Sequence, residues 1–167
     1  MKTLSLVAFA VLMSNCFIAY PAGFDSTLPK VCYETVNAAQ FCTTDNLGKV
    51  QVYIYNAGWC PACNSGMSEL SSAHVEFANA PVVFASLSGE GFSRGSKPDK
   101  VFLQKWKQKH GIPFVVAGKY GDFGTDFQAN GAIPFVVIID KSGNVVQNDN
   151  LDTDQILSTV RDLLKKI

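Results

Sequence analysis

Two cysteines separated by a proline and an alanine stand in the run Trp59-Cys60-Pro61-Ala62-Cys63. A pair at this spacing can close into a small disulfide and reopen. The preceding residues, Val50–Tyr55, are apolar and β-prone, and the following ones carry helical apolar spacing. The dithiol therefore falls where a strand hands over to a helix. A helix start turns unpaired backbone N–H groups and the positive end of its dipole towards the first sulfur, which favours a thiolate. The thiolate is the attacking species in thiol–disulfide exchange. Cys60 is the expected nucleophile and Cys63 the resolving thiol. A buried structural pair, or half of a zinc site, is the plainer reading. A four-cysteine zinc site would need Cys32 and Cys42, and the nine residues between them are unlike the usual close ligand spacing. Trp59, beside the nucleophile, is expected to be partly exposed and client-facing.

The elements that must position this pair follow from the pattern. Val50–Asn56 reads as a buried strand. Pro61 suits the first turn of a helix, where its missing N–H costs nothing. Met67, Leu70, His74 and Phe77 share one face of that helix, which Gly66 should weaken or bend. Residues 82–87 form a second core strand. Ser88–Pro98, with three glycines and a proline, reads as a surface loop near the site, with Glu90 and Arg94 as solvated loop residues and contact with a client as the alternative. Asp99 caps a helix over 100–110, and Gly111 ends it. Lys100, Lys105, Lys107 and Lys109 form its solvated face. His74 and His110 have no partner visible in the sequence. Residues 114–117 suggest a short edge strand and 123–130 a short helix. Phe135–Ile139 is a strand, Asp140–Gly143 a turn, and 144–148 the returning strand. Asp152 and Gln155 open a last amphipathic helix. Alternating strands and helices with a terminal hairpin predict an α/β fold around a mixed sheet.

The chain has 167 residues, 47% of them hydrophobic, enough for one domain with a real core. Lys+Arg and Asp+Glu both number 14. That balance excludes broad electrostatic attraction to nucleic acid or anionic membrane. Lys2 followed by the apolar run Leu4–Met13 reads as a secretory signal peptide over residues 1–22. A retained membrane anchor and lipid attachment at Cys16 are the alternatives. Residues 23–49 form an N-terminal extension that holds Cys32 and Cys42. An exported chain lives where disulfides persist, so a stapling Cys32–Cys42 disulfide is the expected state, with a second redox pair as the alternative.

With these features in hand, residues 50–167 resemble a thioredoxin-like domain. Trp59-Cys60-Pro61-Ala62-Cys63 resembles the family's active-site motif. Gly131-Ala132-Ile133-Pro134, followed by an apolar strand and a Lys141-Ser142-Gly143 turn, resembles its second signature. The resemblance implies a cis Pro134 facing the disulfide, with Ile133 and Pro134 joining Trp59 as client-binding residues. The long gap between Cys63 and Pro134 leaves room for a strand-helix insert. Leader, extension and insert together resemble the exported TlpA/ResA/DsbE-like thiol–disulfide oxidoreductases. That branch implies oxidised or reduced client proteins as partners, a membrane thiol transporter as electron donor, and a periplasmic or otherwise extracytoplasmic location. It implies no metal, flavin or nucleotide cofactor. Thioredoxin's buried acid is replaced here by Ile54, and a Glu of some relatives by Gly66, so Glu69 or water is left to carry protons for the buried thiol. Two other functions compete. Peroxiredoxins share the fold but favour a Thr three residues before their peroxidatic cysteine, where this chain has Ala57. A non-enzymatic metal-binding chaperone would use Cys60 and Cys63 as ligands and would favour a denser His/Met cluster than two His and three Met provide.

Overall fold

The structure is a computed structural model that describes residues 28–166. The expected signal peptide, its alternatives and Cys16 lie outside the described residues. No helix of the described residues is long and apolar enough to cross a membrane. The elements are β1 (Cys32–Thr35), β2 (Gln40–Cys42), β3 (Val50–Ala57), α1 (Pro61–Ala73), β4 (Val82–Glu90), α2 (Lys100–Lys109), β5 (Val115–Gly118), β6 (Phe135–Ile139), β7 (Val145–Asn150) and α3 (Thr153–Lys165). They build a thioredoxin-like α/β fold on one seven-stranded sheet in the order β2-β1-β5-β4-β3-β6-β7. β3, β4 and β5 run parallel, while β1, β2, β6 and β7 pair antiparallel with their neighbours.

Alternation along β3 divides the core. Val50, Val52 and Ile54 face a cluster that takes Met67 and Leu70 from α1, Phe102, Leu103 and Trp106 from α2, and Ile156 and Val160 from α3. Tyr53 and Tyr55 face the other way, into a cluster with Tyr33, Phe41, Phe127, Phe135 and Val137. Helices thus cover one face of the sheet, and aromatic side chains from the N-terminal hairpin and the 119–130 segment cover the other. Burial raises the Tyr33, Tyr53 and Tyr55 hydroxyls well above the usual tyrosine range, so all three are neutral donors at physiological pH. The Tyr33 hydroxyl lies 3.0 Å from that of Tyr55 and donates to Asp122 Oδ2 at 3.1 Å.

Three local expectations are revised. Residues 115–118 are an interior strand, because Glu34 and Thr35 of β1 pair with Gly118 and Ala117 on its open side. Residues 123–130 make only a 3-10 turn at Thr125–Phe127, bounded by left-handed backbone at Gly124 and Gln128 (φ 86° and 61°). β4 runs on through Glu90 rather than yielding to a loop at Ser88. A Cβ on Gly89 would stand 2.4 Å from the Asp122 carbonyl oxygen, so this glycine serves a close backbone approach within the strand. α1 continues through Gly66, where a Cβ would come within 2.5 Å of Leu151 Cδ2. That glycine makes room for the loop leading into α3.

Candidate active site

β3 delivers the dithiol. Its last buried polar residue, Asn56, is fastened to β4: Asn56 Nδ2 donates to Ser86 Oγ at 2.9 Å, and Ser88 Oγ donates to Asn56 Oδ1 at 2.7 Å. Trp106 Nε1 also donates to Ser86 Oγ, at 3.1 Å. This network fixes the strand end from which the turn Gly58–Cys60 leaves. None of its members ionises at ordinary pH, and Ile54, at the position of thioredoxin's acid, lies in the apolar core.

Cys60 is the N-cap of α1 and Pro61 its first residue. Cys60 Sγ accepts the backbone N–H of Cys63 at 3.1 Å and lies 3.7 Å from the Ile133 carbonyl oxygen. Cys60 is 3% exposed and Cys63 fully buried, and the two are disulfide-bonded with Cα atoms 5.2 Å apart. The Ile133–Pro134 peptide bond is cis. Ile133, Pro134 and Trp59 are each half-buried beside the sulfurs' end of the sheet. Cys32 and Cys42 stand opposite each other across β1 and β2, bonded, with Cα atoms 4.1 Å apart.

The turn is tied down by Asn64, which carries no signal in the sequence. Asn64 Nδ2 donates to the carbonyls of Cys60 at 2.8 Å and Gly58 at 3.1 Å, while Asn64 Oδ1 accepts from Lys109 Nζ at 2.6 Å. One turn along α1, Ser68 Oγ lies 2.8 Å from His110 Nδ1, and the His110 ring packs on Trp106 with centroids 4.2 Å apart. Burial, and secondly the Lys109 charge, hold His110 below the ordinary histidine range. Burial does the same to His74, whose ring meets Phe84 edge-on at 4.9 Å. Both histidines therefore act as neutral packing residues at neutral pH, and Lys109 stays on the exposed face expected for it while reaching Asn64. Glu69 is exposed on α1.

Glu90 departs from expectation as a part-buried strand residue, while Arg94 is exposed as expected. Glu90 Oε2 accepts the Trp59 indole N–H at 2.6 Å, and Glu90 Oε1 accepts the Gly95 N–H at 2.9 Å. The Arg94 guanidinium lies 3.9 Å from the centre of the Trp59 ring. Neither contact has a local sequence signature, because each depends on β4 bringing the 90–95 segment alongside the turn after β3.

Comparison with known proteins gives the same fold. No curated protein matches the sequence. A secreted disulfide oxidoreductase of Mycobacterium tuberculosis, homologous to E. coli DsbE, is 20% identical with a TM-score of 0.63, covering 79% of this chain and 95% of its own. A thioredoxin-family thiol:disulfide interchange protein from Chlorobium tepidum is 20% identical with a TM-score of 0.67, covering 83% and 95% respectively. A thiol-disulfide isomerase from Corynebacterium glutamicum is 20% identical with a TM-score of 0.68, covering 84% and 98%. At such identities the likeness is one of fold. The sequence match is to the AhpC/TSA family model, over residues 24–148, which takes in β1 to β6 and the dithiol, and the chain belongs to the AhpC/TSA family.

Proposed function

We propose that this protein is an exported thiol–disulfide oxidoreductase that exchanges disulfides with client proteins through Cys60 and Cys63. The observation that carries this reading is the placement of Cys60 Sγ at the start of α1, accepting the Cys63 N–H at 3.1 Å. In the reduced protein the same N–H and helix dipole favour a thiolate at Cys60. That thiolate attacks one sulfur of a client disulfide. A Cys60–client bond forms and the client's other sulfur leaves as a thiolate. Cys63 then loses its proton and attacks Cys60 Sγ, closing the Cys60–Cys63 bond and releasing the second client thiolate. Two electrons pass to the client, and the reverse sequence oxidises a client dithiol.

Ile133 lies against the nucleophile through its carbonyl, which can accept an N–H from an extended client segment in the manner of strand addition. Pro134 has no N–H to donate and supports that carbonyl from the next position. Trp59 forms the opposite rim. A membrane thiol transporter would return electrons to the oxidised pair. The structural neighbours that carry a secreted or DsbE-related description support an extracytoplasmic site of action, as does the apolar N-terminal run. Alkylation of the reduced protein followed by peptide mapping tests the assignment. Cys60 is expected to label first near neutral pH, and preferential labelling of Cys63 would overturn it.

Cys32 and Cys42 serve as a staple in this reading. Their bridge spans a sequence separation of 10 and clamps the hairpin that supports β5. Loop closure of this size contributes about 2–3 kcal/mol in the chain-entropy model. Replacing both by serine should lower unfolding free energy by about that amount while disulfide reduction persists. Urea unfolding read beside an activity assay checks both halves. Loss of exchange in a still-folded double variant would make them a second redox pair instead.

A further inference from the structure

We propose that Arg94 makes the rim of the dithiol selective for client segments that carry an acidic side chain close to the reacting cysteine. The proposal rests on the exchange reading above and names the client chemistry at that same site. Arg94 is exposed, and its guanidinium is stacked on the face of Trp59, the residue immediately before the nucleophile. A guanidinium over a ring face meets the ring electrostatically and does not use its N–H donors on a carboxylate. Its fork of N–H donors matches a carboxylate in a bidentate geometry.

Among the described residues Arg94 forms no ion pair with an acid. The ion pairs among the described residues are Lys119–Asp122, Arg161–Glu76 and Lys165–Asp162. Glu90 is the nearest carboxylate along the chain; its oxygens accept the Trp59 indole N–H and the Gly95 N–H, and it makes no ion pair with Arg94. The glutamate orients the ring on which the arginine rests.

The segment that carries Arg94 is held in place before any client arrives. Gly91 N donates to the Ser96 carbonyl at 2.9 Å, and Ser96 N donates to the Ser93 carbonyl at 3.1 Å. Ser96 Oγ donates to the Ser93 carbonyl at 2.6 Å, and the Tyr120 hydroxyl donates to the Gly95 carbonyl at 3.2 Å. Phe92 packs edge-on against Phe102 of α2, with centroids 4.8 Å apart. A fixed cation loses little freedom on binding, so its contact with a carboxylate is retained as selectivity. An extended chain advances about 3.3 Å per residue, and Arg94 rests on the residue next to Cys60, so the acid is sought within about three residues of the client cysteine.

The test uses the full reduced protein and amidated disulfide peptides that differ at one position near the cysteine: Glu, Gln or Lys. Rates are compared as ratios within each variant, which removes any common change in reactivity. Wild type should reduce the Glu peptide about three- to ten-fold faster than the Gln peptide, the size expected of one charge-assisted contact at an exposed rim. The Lys peptide should be slower still. In Arg94→Gln the Glu/Gln ratio should fall to about one, in Arg94→Lys it should be partly kept, and in Arg94→Glu the order should invert. Raising the salt concentration should shrink the wild-type ratio. Equal rates for all three peptides in wild type, or a ratio that survives Arg94→Gln and Arg94→Glu, would overturn the proposal while leaving exchange intact. Failure of wild type to reduce any of the peptides would overturn the exchange reading and this one with it.

Discussion

Cys60→Ser is expected to slow reduction of a client disulfide by roughly a thousand-fold or more, because a serine hydroxyl is almost never ionised near neutral pH and is a poor nucleophile towards sulfur. Cys63 cannot take over the attack, since it is fully buried behind Cys60. Cys63→Ser should behave differently. The first attack proceeds, the resolving thiol is missing, and the client stays bound to Cys60 as a mixed disulfide. Stopped-flow rates for the first variant and intact mass for the second separate the two roles. Retention of more than about a tenth of the wild-type rate in Cys60→Ser would show that another thiol leads the attack.

Trp106→Ala carries the largest stability effect, about 3–5 kcal/mol, a large share of the roughly 5–15 kcal/mol that holds a domain folded. Trp106 is fully buried and stacks on Phe102 with centroids 5.8 Å apart. Its indole N–H donates to Ser86 Oγ, which also receives Asn56 Nδ2. Truncation removes the largest of the three buried side chains that join α2 to the sheet and takes one donor from the network at the end of β3. Trp106→Phe keeps most of the packing and deletes only the N–H, so it should cost about 1–2 kcal/mol. Urea denaturation of the two variants gives both numbers. A loss below about 1 kcal/mol for Trp106→Ala would contradict the packing of α2 described here.

The dithiol was legible in the sequence because its determinants are local. Cysteine spacing, Pro61 at the helix start and the apolar run before Trp59 all lie within about a dozen residues. The strands at 50–56, 82–87 and 135–139 were legible for the same reason, as was the Asp99 cap, which accepts the Phe102 N–H at 2.8 Å. What stayed hidden depends on contacts distant in the chain. Glycines 89 and 91 look like loop signals, yet Gly89 lies inside β4 because Asp122 passes over it. Residues 114–117 look like an edge until β1 pairs beside them. Lys109 is one of four helix cations with the same local pattern, and its partner, Asn64, lies 45 residues away. Glu90 reads as solvated until the sheet register brings Ala57 opposite it and Trp59 beside it, and the Arg94 contact with Trp59 follows from the same register.

The central claim is that Cys60 and Cys63 act on disulfides in proteins. The AhpC/TSA family match leaves peroxide as the rival substrate on the same fold. The most direct measurement gives one preparation of reduced protein two oxidants in separate reactions, a disulfide-bonded polypeptide such as insulin and hydrogen peroxide, and follows the closing of the Cys60–Cys63 bond by mass. The account predicts rapid closure with the polypeptide, with its disulfide reduced, and closure with peroxide no faster than for an ordinary free thiol. Closure with peroxide orders of magnitude faster than for a free thiol, while the polypeptide disulfide stays intact, would contradict it.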